Sequence, residues 1–321
     1  MKAAVYYETG APEVFRYEDV PAPQCRAGGV LIDVKAISIE GGDVLNRAGG
    51  DMPSKPHIVG YQCAGVIREV GENVSDRTAG QAVVTVMPFG SHAELVSVAA
   101  MQTWPVPDGM DLREAACVPI AFGTAHECLF EFGGLAAGKT VLIQAGAGGV
   151  GLAAIQLAKR AGATVLATAS SDEKLERLKE FGLDHGINYR TEDWVARARA
   201  LSSGGVALVV DSVGTTLPGS VQATGYRGRV VSVGNAGRSA ERKLDSSGLS
   251  EMNRSLTGVF FGGALMMEPL RGRPLVEGLL RDVAGGSLRV VIDREYPLSE
   301  AASAHAYIES RQAFGRVVLV P

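Results

Sequence analysis

The chain has 321 residues, 46% of them hydrophobic, and a formal net charge of −4 with a sequence pI near 5.8. That length and apolar content suffice for a large core in about two domains, while the acidic balance excludes a broad nucleic-acid-binding surface. No apolar run is long enough to cross a bilayer, because the best candidate is broken by glycines and closed by Lys159-Arg160.

The first residues, Met1-Lys2-Ala3-Ala4-Val5-Tyr6-Tyr7-Glu8, lack the long apolar core and cleavage site of a signal peptide. Cys25, Cys63, Cys117 and Cys128 form no Cys-x-x-Cys pair, which fits reduced thiols better than a disulfide framework. A soluble, cytoplasmic globular protein is expected. Strand patterns cover 29–34, 64–70 and 81–86, with turn residues between them, so the first third reads as β-rich. Pro105, Pro107 and Gly109 then punctuate a loop, and from Leu112 the pattern turns helical.

The middle of the chain alternates. Thr140-Val141-Leu142-Ile143-Gln144 reads as a buried parallel strand. The turn Ala145-Gly146-Ala147-Gly148-Gly149-Val150-Gly151 follows, and 152–160 is rich in helix formers at helical spacing. A second strand covers 164–168. An amphipathic helix over 172–181 places Leu175, Leu178 and Phe181 on one face and stops at Gly182, with Ser170 and Glu173 matching a capping box. Strands over 206–211 and 228–233 come next, and the alternation implies a doubly wound parallel sheet. The tail returns to strands over 289–292 and 316–320, expected to pack onto the first domain and make it discontinuous.

Strand, tight glycine turn and helix in that order are the context of a dinucleotide site. Gly146 is expected to permit the turn, Gly148 to let the backbone approach a diphosphate, and Gly151 to let helix and strand pack closely. The amides from Ala147 through Gly149 and Val150 then face the negative charge. At the end of the second strand, where NAD-selective folds carry an acid, stands Ala169. Without that carboxylate a 2′-phosphate is not repelled, and Ser170 and Lys174 are placed to donate to it. NADPH is therefore the expected coenzyme, although Asp172 and Glu173 stand nearby.

Gly60-Tyr61-Gln62-Cys63-Ala64-Gly65-Val66-Ile67, Val70-Gly71-Glu72-Asn73-Val74, Phe122-Gly123-Thr124-Ala125 and the glycine turn fall in the order seen in medium-chain dehydrogenase/reductases. Over nearly its whole length the chain resembles the zinc-independent quinone oxidoreductase branch, with its zeta-crystallin-like NADPH:quinone reductases and related enoyl reductases. The resemblance implies an α/β protein with a GroES-like β-rich domain over 1–122 and 266–321 and a Rossmann domain over 123–265. It implies a homodimer joined through edge strands, for which Thr257-Gly258-Val259-Phe260-Phe261 is the candidate. It also places Thr124 near the nicotinamide, with the Gly234-Asn235 turn and the Phe260 backbone cradling its end. Tyr189, after Asn188, lines the 2′-phosphate pocket, and Arg316 of Gly315-Arg316 matches a Gly-Lys element that helps hold the coenzyme.

Zinc-dependent relatives have Cys, His and Cys ligands where this chain reads Glu40, Tyr61 and Ile120, and no histidine here stands at a ligand spacing, so no metal is expected. The implied reaction is hydride transfer to a quinone or other α,β-unsaturated carbonyl, whose oxygen needs hydrogen-bond donors as charge develops. Tyr61 or Glu40 is the candidate donor; the alternative is that both only shape the pocket and protons come from water. Asp43 and Arg47 are expected to form a structural ion pair. Two other readings are an enoyl-thioester reductase and a non-enzymatic, crystallin-like or binding role. A hydrolase is excluded, since no Gly-x-Ser-x-Gly occurs. No nucleic-acid or membrane partner is expected.

Overall fold

The structure, a computed structural model, describes residues 1–238 and 246–321. The chain divides into two compact units, one of Met1–Ile120 with Pro269–Pro321 and the other of Ala121–Glu268. The first opens with an antiparallel pair, β1 (Lys2–Val5) and β2 (Arg16–Asp19). It continues through β3 (Gly29–Ser38), α1 (Gly41–Gly49), β4 (Gln62–Val70), β5 (Ala82–Val86), β6 (Leu95–Ala99), β7 (Thr103–Pro105) and α2 (Leu112–Ala116). Val30, Ile32 and Val34 alternate along β3 into a core with Ile67, Val83 and Val96, as the two-residue period of a strand requires. Helix α3 (Val118–His126), extended by a π-helical turn over Glu127–Glu131, leads into the second unit.

That unit alternates strand and helix: β8 (Thr140–Ile143), α4 (Gly149–Arg160), β9 (Thr164–Ala169), α5 (Asp172–Leu178), β10 (His185–Asn188), α6 (Trp194–Leu201) and β11 (Val206–Asp211). It ends with α7 (Leu217–Ala223), β12 (Thr224–Ser232), α8 (Ser247–Ser250), β13 (Ser255–Gly258) and α9 (Phe261–Met267). The six strands run parallel in the order β10-β9-β8-β11-β12-β13. This is the doubly wound order, and its direction reverses between β8 and β11. Leu142, Leu166, Val209 and Val230 form the sheet's core, covered by Val221 of α7. The helix expected over 172–181 is α-helical only to Leu178; a tighter 3₁₀ turn over Lys179–Phe181 closes it against Gly182, at φ +104°.

The chain then returns to the first unit with α10 (Pro269–Ala284), β14 (Ile292–Pro297), α11 (Ala301–Glu309) and β15 (Arg316–Val320). The larger sheet runs β14-β15-β3-β4-β5-β7, with β6 also on β3. The strand expected over 289–292 is displaced: pairing begins at Ile292 and runs to Pro297. An edge strand keeps one side in water and tolerates Asp293, Arg294 and Glu295, whereas apolar patterning points to the wrong residues. Strand β15 sets Val318 opposite Ser38, which brings the start of β15 to the end of β3.

Candidate active site

In a doubly wound sheet, ligands lie beyond the carboxyl ends of the strands at the point of reversal. Here that rim carries the turn between β8 and α4. Ala145 holds the left-handed conformation of the turn, at φ +53°, so Gly146 is not needed for that torsion. Gly146 is small for packing: a Cβ there would stand 2.8 Å from that of Ala167 and 3.1 Å from Leu178 Cδ1. At Gly151 a Cβ would meet the Ala145 carbonyl at 2.5 Å and the Gly146 backbone at 2.7 Å, so helix and turn touch through it. Gly148 differs. Only the Ala145 oxygen, at 3.4 Å, stands near its missing side chain.

Gly148 is the N-cap of α4 and offers the helix no side-chain acceptor. Helix starts leave several N–H groups unpartnered and carry partial positive charge, so Gly149, Val150 and Gly151 present an anion-binding end. Ala147, buried ahead of them, completes the turn. The Ala145 and Gly146 amides donate to the Thr168 hydroxyl and carbonyl at 3.2 and 2.8 Å, which fixes the turn to β9.

The end of β9 gathers several predicted residues. Ala169 is buried and its carbonyl accepts from the Tyr189 amide at 3.2 Å, so the half-exposed Tyr189 stands beside Ser170. The cap of α5 is Ser171, not Ser170: its hydroxyl accepts from the Lys174 amide at 3.3 Å. The capping box expected of Ser170 and Glu173 is therefore shifted by one residue, because Ser171 adopts the extended backbone of an N-cap. Asp172 is occupied by Asn188, whose side-chain amide donates to it at 2.8 Å.

Beyond the reversal, Asp211 ends β11, and the Gly234-Asn235 turn lies after β12. Thr124 is buried on α3, where Gly123 is covered by the ring of Phe261; the adjoining Phe260 is exposed. Thr124 and the Phe260 segment thus adjoin within the second unit.

The other candidates form a polar cluster in the first unit. Glu40 caps α1 in a capping box with Asp43, whose carboxylate accepts from the Glu40 amide at 2.8 Å. The Glu40 carboxylate accepts from Gln62 Nε2 and from the Arg316 guanidinium. Arg316 also donates to Ser38 Oγ at 2.6 Å and to the Ile39 carbonyl at 2.8 Å, while Gln62 accepts from the Ile120 amide at 3.1 Å. Arg316 is thus engaged with Glu40, Ser38 and Ile39. Burial raises the Glu40 carboxyl above its ordinary value, and the Arg316 charge opposes that rise. Arg316 is itself raised by the Glu40 charge despite its own burial, and so stays a cation.

Tyr61 lies over the first turn of α1: a side chain on Gly42 would fall 2.6 Å from its hydroxyl. Burial, then the Asp43 and Glu40 charges, raise the Tyr61 phenol well above its usual value, so it stays protonated. Asp43 and Arg47 do not pair as expected. Both are fully buried, but Arg47 donates to the Gly10 carbonyl at 2.8 Å and pairs with Glu309 of α11, which the fold delivers from far along the sequence.

Residues 26–108 match the alcohol dehydrogenase GroES-like domain and 149–272 the zinc-binding dehydrogenase family. A 2-haloacrylate reductase from Burkholderia sp is 32% identical over 334 residues, covering 99% of this chain and 98% of its own. The chain belongs to the medium-chain dehydrogenase/reductase superfamily, among its quinone-oxidoreductase-like members. The structure of Escherichia coli quinone oxidoreductase complexed with NADPH superposes with a TM-score of 0.94 at 28% identity, over the full length of both chains. The synaptic vesicle membrane protein VAT-1 homolog of Danio rerio is 33% identical over 92% of this chain, which spans only 65% of that relative.

The residues present do not fit the zinc that one family description implies. At the positions where the family resemblance expects metal ligands, Glu40 is paired with a guanidinium, Tyr61 is a protonated phenol and Ile120 has only an alkyl side chain. Among the described residues no group of three or more His, Cys, Asp or Glu side chains is arranged to hold a metal ion. Sequence reading missed Gln62, Thr168 and Asp211 as organisers of these sites. Only Asp211 left a signal: a carboxylate closing an apolar strand ahead of Ser212-Val213-Gly214-Thr215-Thr216.

Proposed function

We propose that the protein is an NADPH-dependent, zinc-independent oxidoreductase that transfers hydride to a quinone or another α,β-unsaturated carbonyl. The observation that carries this reading is the open, uncapped start of α4 at Gly148, next to a β9 end without an acid. The residues present fit the coenzyme: Ala147 to Gly151 receive its diphosphate, and Ser170, Lys174 and Tyr189 receive its 2′-phosphate. Thr124, Gly234, Asn235 and the Phe260 backbone position the nicotinamide end. NADPH, when bound, supplies the hydride.

The chain's own part is to orient the acceptor and stabilise charge on its oxygen. Tyr61, held protonated, is the donor toward that oxygen. Glu40 accepts from both Gln62 and Arg316 through its Oε1, and its role is to hold those two side chains in place beside Tyr61. Arg316 acts through Glu40. The relatives named quinone oxidoreductase and 2-haloacrylate reductase support conjugated acceptors as the substrate class. The cysteines are all free, in keeping with the reducing cytoplasm, and the half-exposed edge of β13 is the contact for a homodimer.

The test is oxidation of NADPH, followed by its absorbance, with 1,4-quinones, enones and enoyl thioesters as acceptors. Turnover of quinones or enones, with NADPH preferred over NADH, supports the reading. No oxidation with any acceptor, or no NADPH binding by calorimetry, removes it. Preference for thioesters moves the protein to the enoyl-reductase class.

A further inference from the structure

Asp211 closes β11 immediately across the sheet's reversal from the glycine turn, and its carboxylate is fully buried. One oxygen accepts from the amides of Val213 and Gly214 and from the Thr216 hydroxyl, all at 2.9 Å. The other accepts from Thr216 at 2.8 Å and from Ser220 Oγ at 2.7 Å. All of these donors are neutral. The carboxylate therefore acts as a hub that curls residues 212–216 into one shape, since each donor aims at a fixed point.

That loop in turn shapes a second one. The Val233 amide donates to the Asp211 carbonyl at 2.8 Å, Ala236 to Ser212 at 2.9 Å and Gly237 to Val213 at 2.8 Å. Gly237 has no room for a side chain, which would fall 2.7 Å from the Val213 carbonyl and 2.8 Å from Thr215 Oγ1. Between these rungs sit Gly234, at φ +76°, and Asn235. The Ser212 hydroxyl reaches back to the Gln144 carbonyl at 3.4 Å, ahead of the glycine turn.

A doubly wound sheet binds one mononucleotide on each side of its reversal. The glycine turn and the β9 end serve the adenosine side, so the loops after β11 and β12 serve the nicotinamide side. We infer that Asp211 is a positioning residue for the nicotinamide half of the coenzyme, acting through the 212–216 loop on the Gly234-Asn235 turn. This rests on the NADPH reading above.

Calorimetry on the full chain with two probes, NADPH and adenosine 2′,5′-bisphosphate, tests it, because the second probe occupies only the adenosine side. Asp211→Ala removes the shared acceptor of four donors, two of which, the Gly214 amide and the Ser220 hydroxyl, are buried, so NADPH affinity is expected to fall at least about tenfold. Affinity for the bisphosphate stays within about twofold of wild type. Asp211→Asn keeps an acceptor for the two amides and lets the Ser220 hydroxyl turn to accept, so it restores NADPH binding to within about threefold of wild type. Thr216→Val, a milder change at the same hub, carries the test should Asp211→Ala not fold, and shows the same one-sided loss. Equal weakening of both probes by either variant, or of neither, overturns the positioning role. A wild type that binds neither probe overturns the NADPH reading instead.

Discussion

The two sites of this chain are built in opposite ways. The glycine turn is local: Ala145 to Gly151 fold on themselves, and the nearest outside support is Thr168 of the adjacent strand. The Glu40 cluster is assembled from β3, β4, the start of α3 and β15, and its central ion pair joins residues 276 positions apart. A local site depends on backbone torsions and missing side chains. An assembled one depends on buried charges finding each other, and it fails as a unit when one is removed.

The sharpest way to break this contrast is Arg316→Met. It leaves the Glu40 carboxylate buried without its cation, and a loss of about 3–5 kcal/mol is expected in urea unfolding. Adding Glu40→Gln to Arg316→Met should recover most of the loss, because the uncompensated charge is gone. Equal stability of Arg316→Met and wild type would show that the ion pair organises nothing.

Two glycines of the turn sharpen the comparison from the other side. Gly151→Ala forces a Cβ against backbone atoms 2.5–2.7 Å away that cannot step aside, and about 1–3 kcal/mol of stability is expected to be lost. Gly148→Ala meets only one oxygen at 3.4 Å. Its folding should be spared while NADPH affinity drops about tenfold or more, as the new methyl occupies the diphosphate's approach. Thermal unfolding and calorimetry on both variants separate the two jobs; identical behaviour would mean the turn does not discriminate packing from ligand contact.

How much of this was legible in the residues follows the same division. The turn, its flanking strand and helix, and the six parallel strands show in apolar periodicity and glycine spacing, because each is set within a few residues. Even there the left-handed residue is Ala145, which no glycine pattern marks. Glu40 and Arg316 are each legible in the sequence as site candidates, yet nothing in either neighbourhood says that they meet. That follows only from the register of β15 on β3. Arg47 finding Glu309 instead of Asp43 is the same lesson: an i,i+4 pair on a helix loses to a partner brought by tertiary packing.

Acid should act on another assembled pair of the first unit, that of His92 and His305. His92 and His305 are fully buried, Nε2 to Nε2 at 3.1 Å, so one must donate and the other accept, both neutral. Burial lowers His92 to about 3, and burial with the neighbouring His92 and Arg47 charges lowers His305 well below its usual value. His57, also lowered by burial, and Tyr6 and Phe15 pack around this centre. Unfolded histidines bind protons below about pH 6.5 whereas these folded ones do not. The stability they contribute is therefore complete above that pH and is lost as pH falls toward 3. Each histidine adds a slope of about 1.4 kcal/mol per pH unit in that window. His305→Asn should flatten the pH dependence of the unfolding midpoint, and an unchanged slope would show that the pair titrates normally.

The smallest effect is expected at Tyr61, where the two descriptions meet in one side chain: its phenol belongs to the assembled cluster, but its position is set locally by the missing side chain of Gly42. Tyr61→Phe removes only an oxygen from a residue that is not the cluster's ion-pair centre, so the unfolding midpoint should barely move. Turnover with a quinone should fall about tenfold if the hydroxyl stabilises charge on the acceptor oxygen, the scale of one hydrogen bond to a developing charge. Gly42→Ala keeps the phenol but pushes on it, with a methyl 2.6 Å from its oxygen, and should reproduce the fall in turnover without removing any polar group. Matching losses in the two variants would assign the effect to where the hydroxyl points. Unchanged turnover in Tyr61→Phe would leave the acceptor's proton to water and reduce Tyr61 to a wall of the pocket.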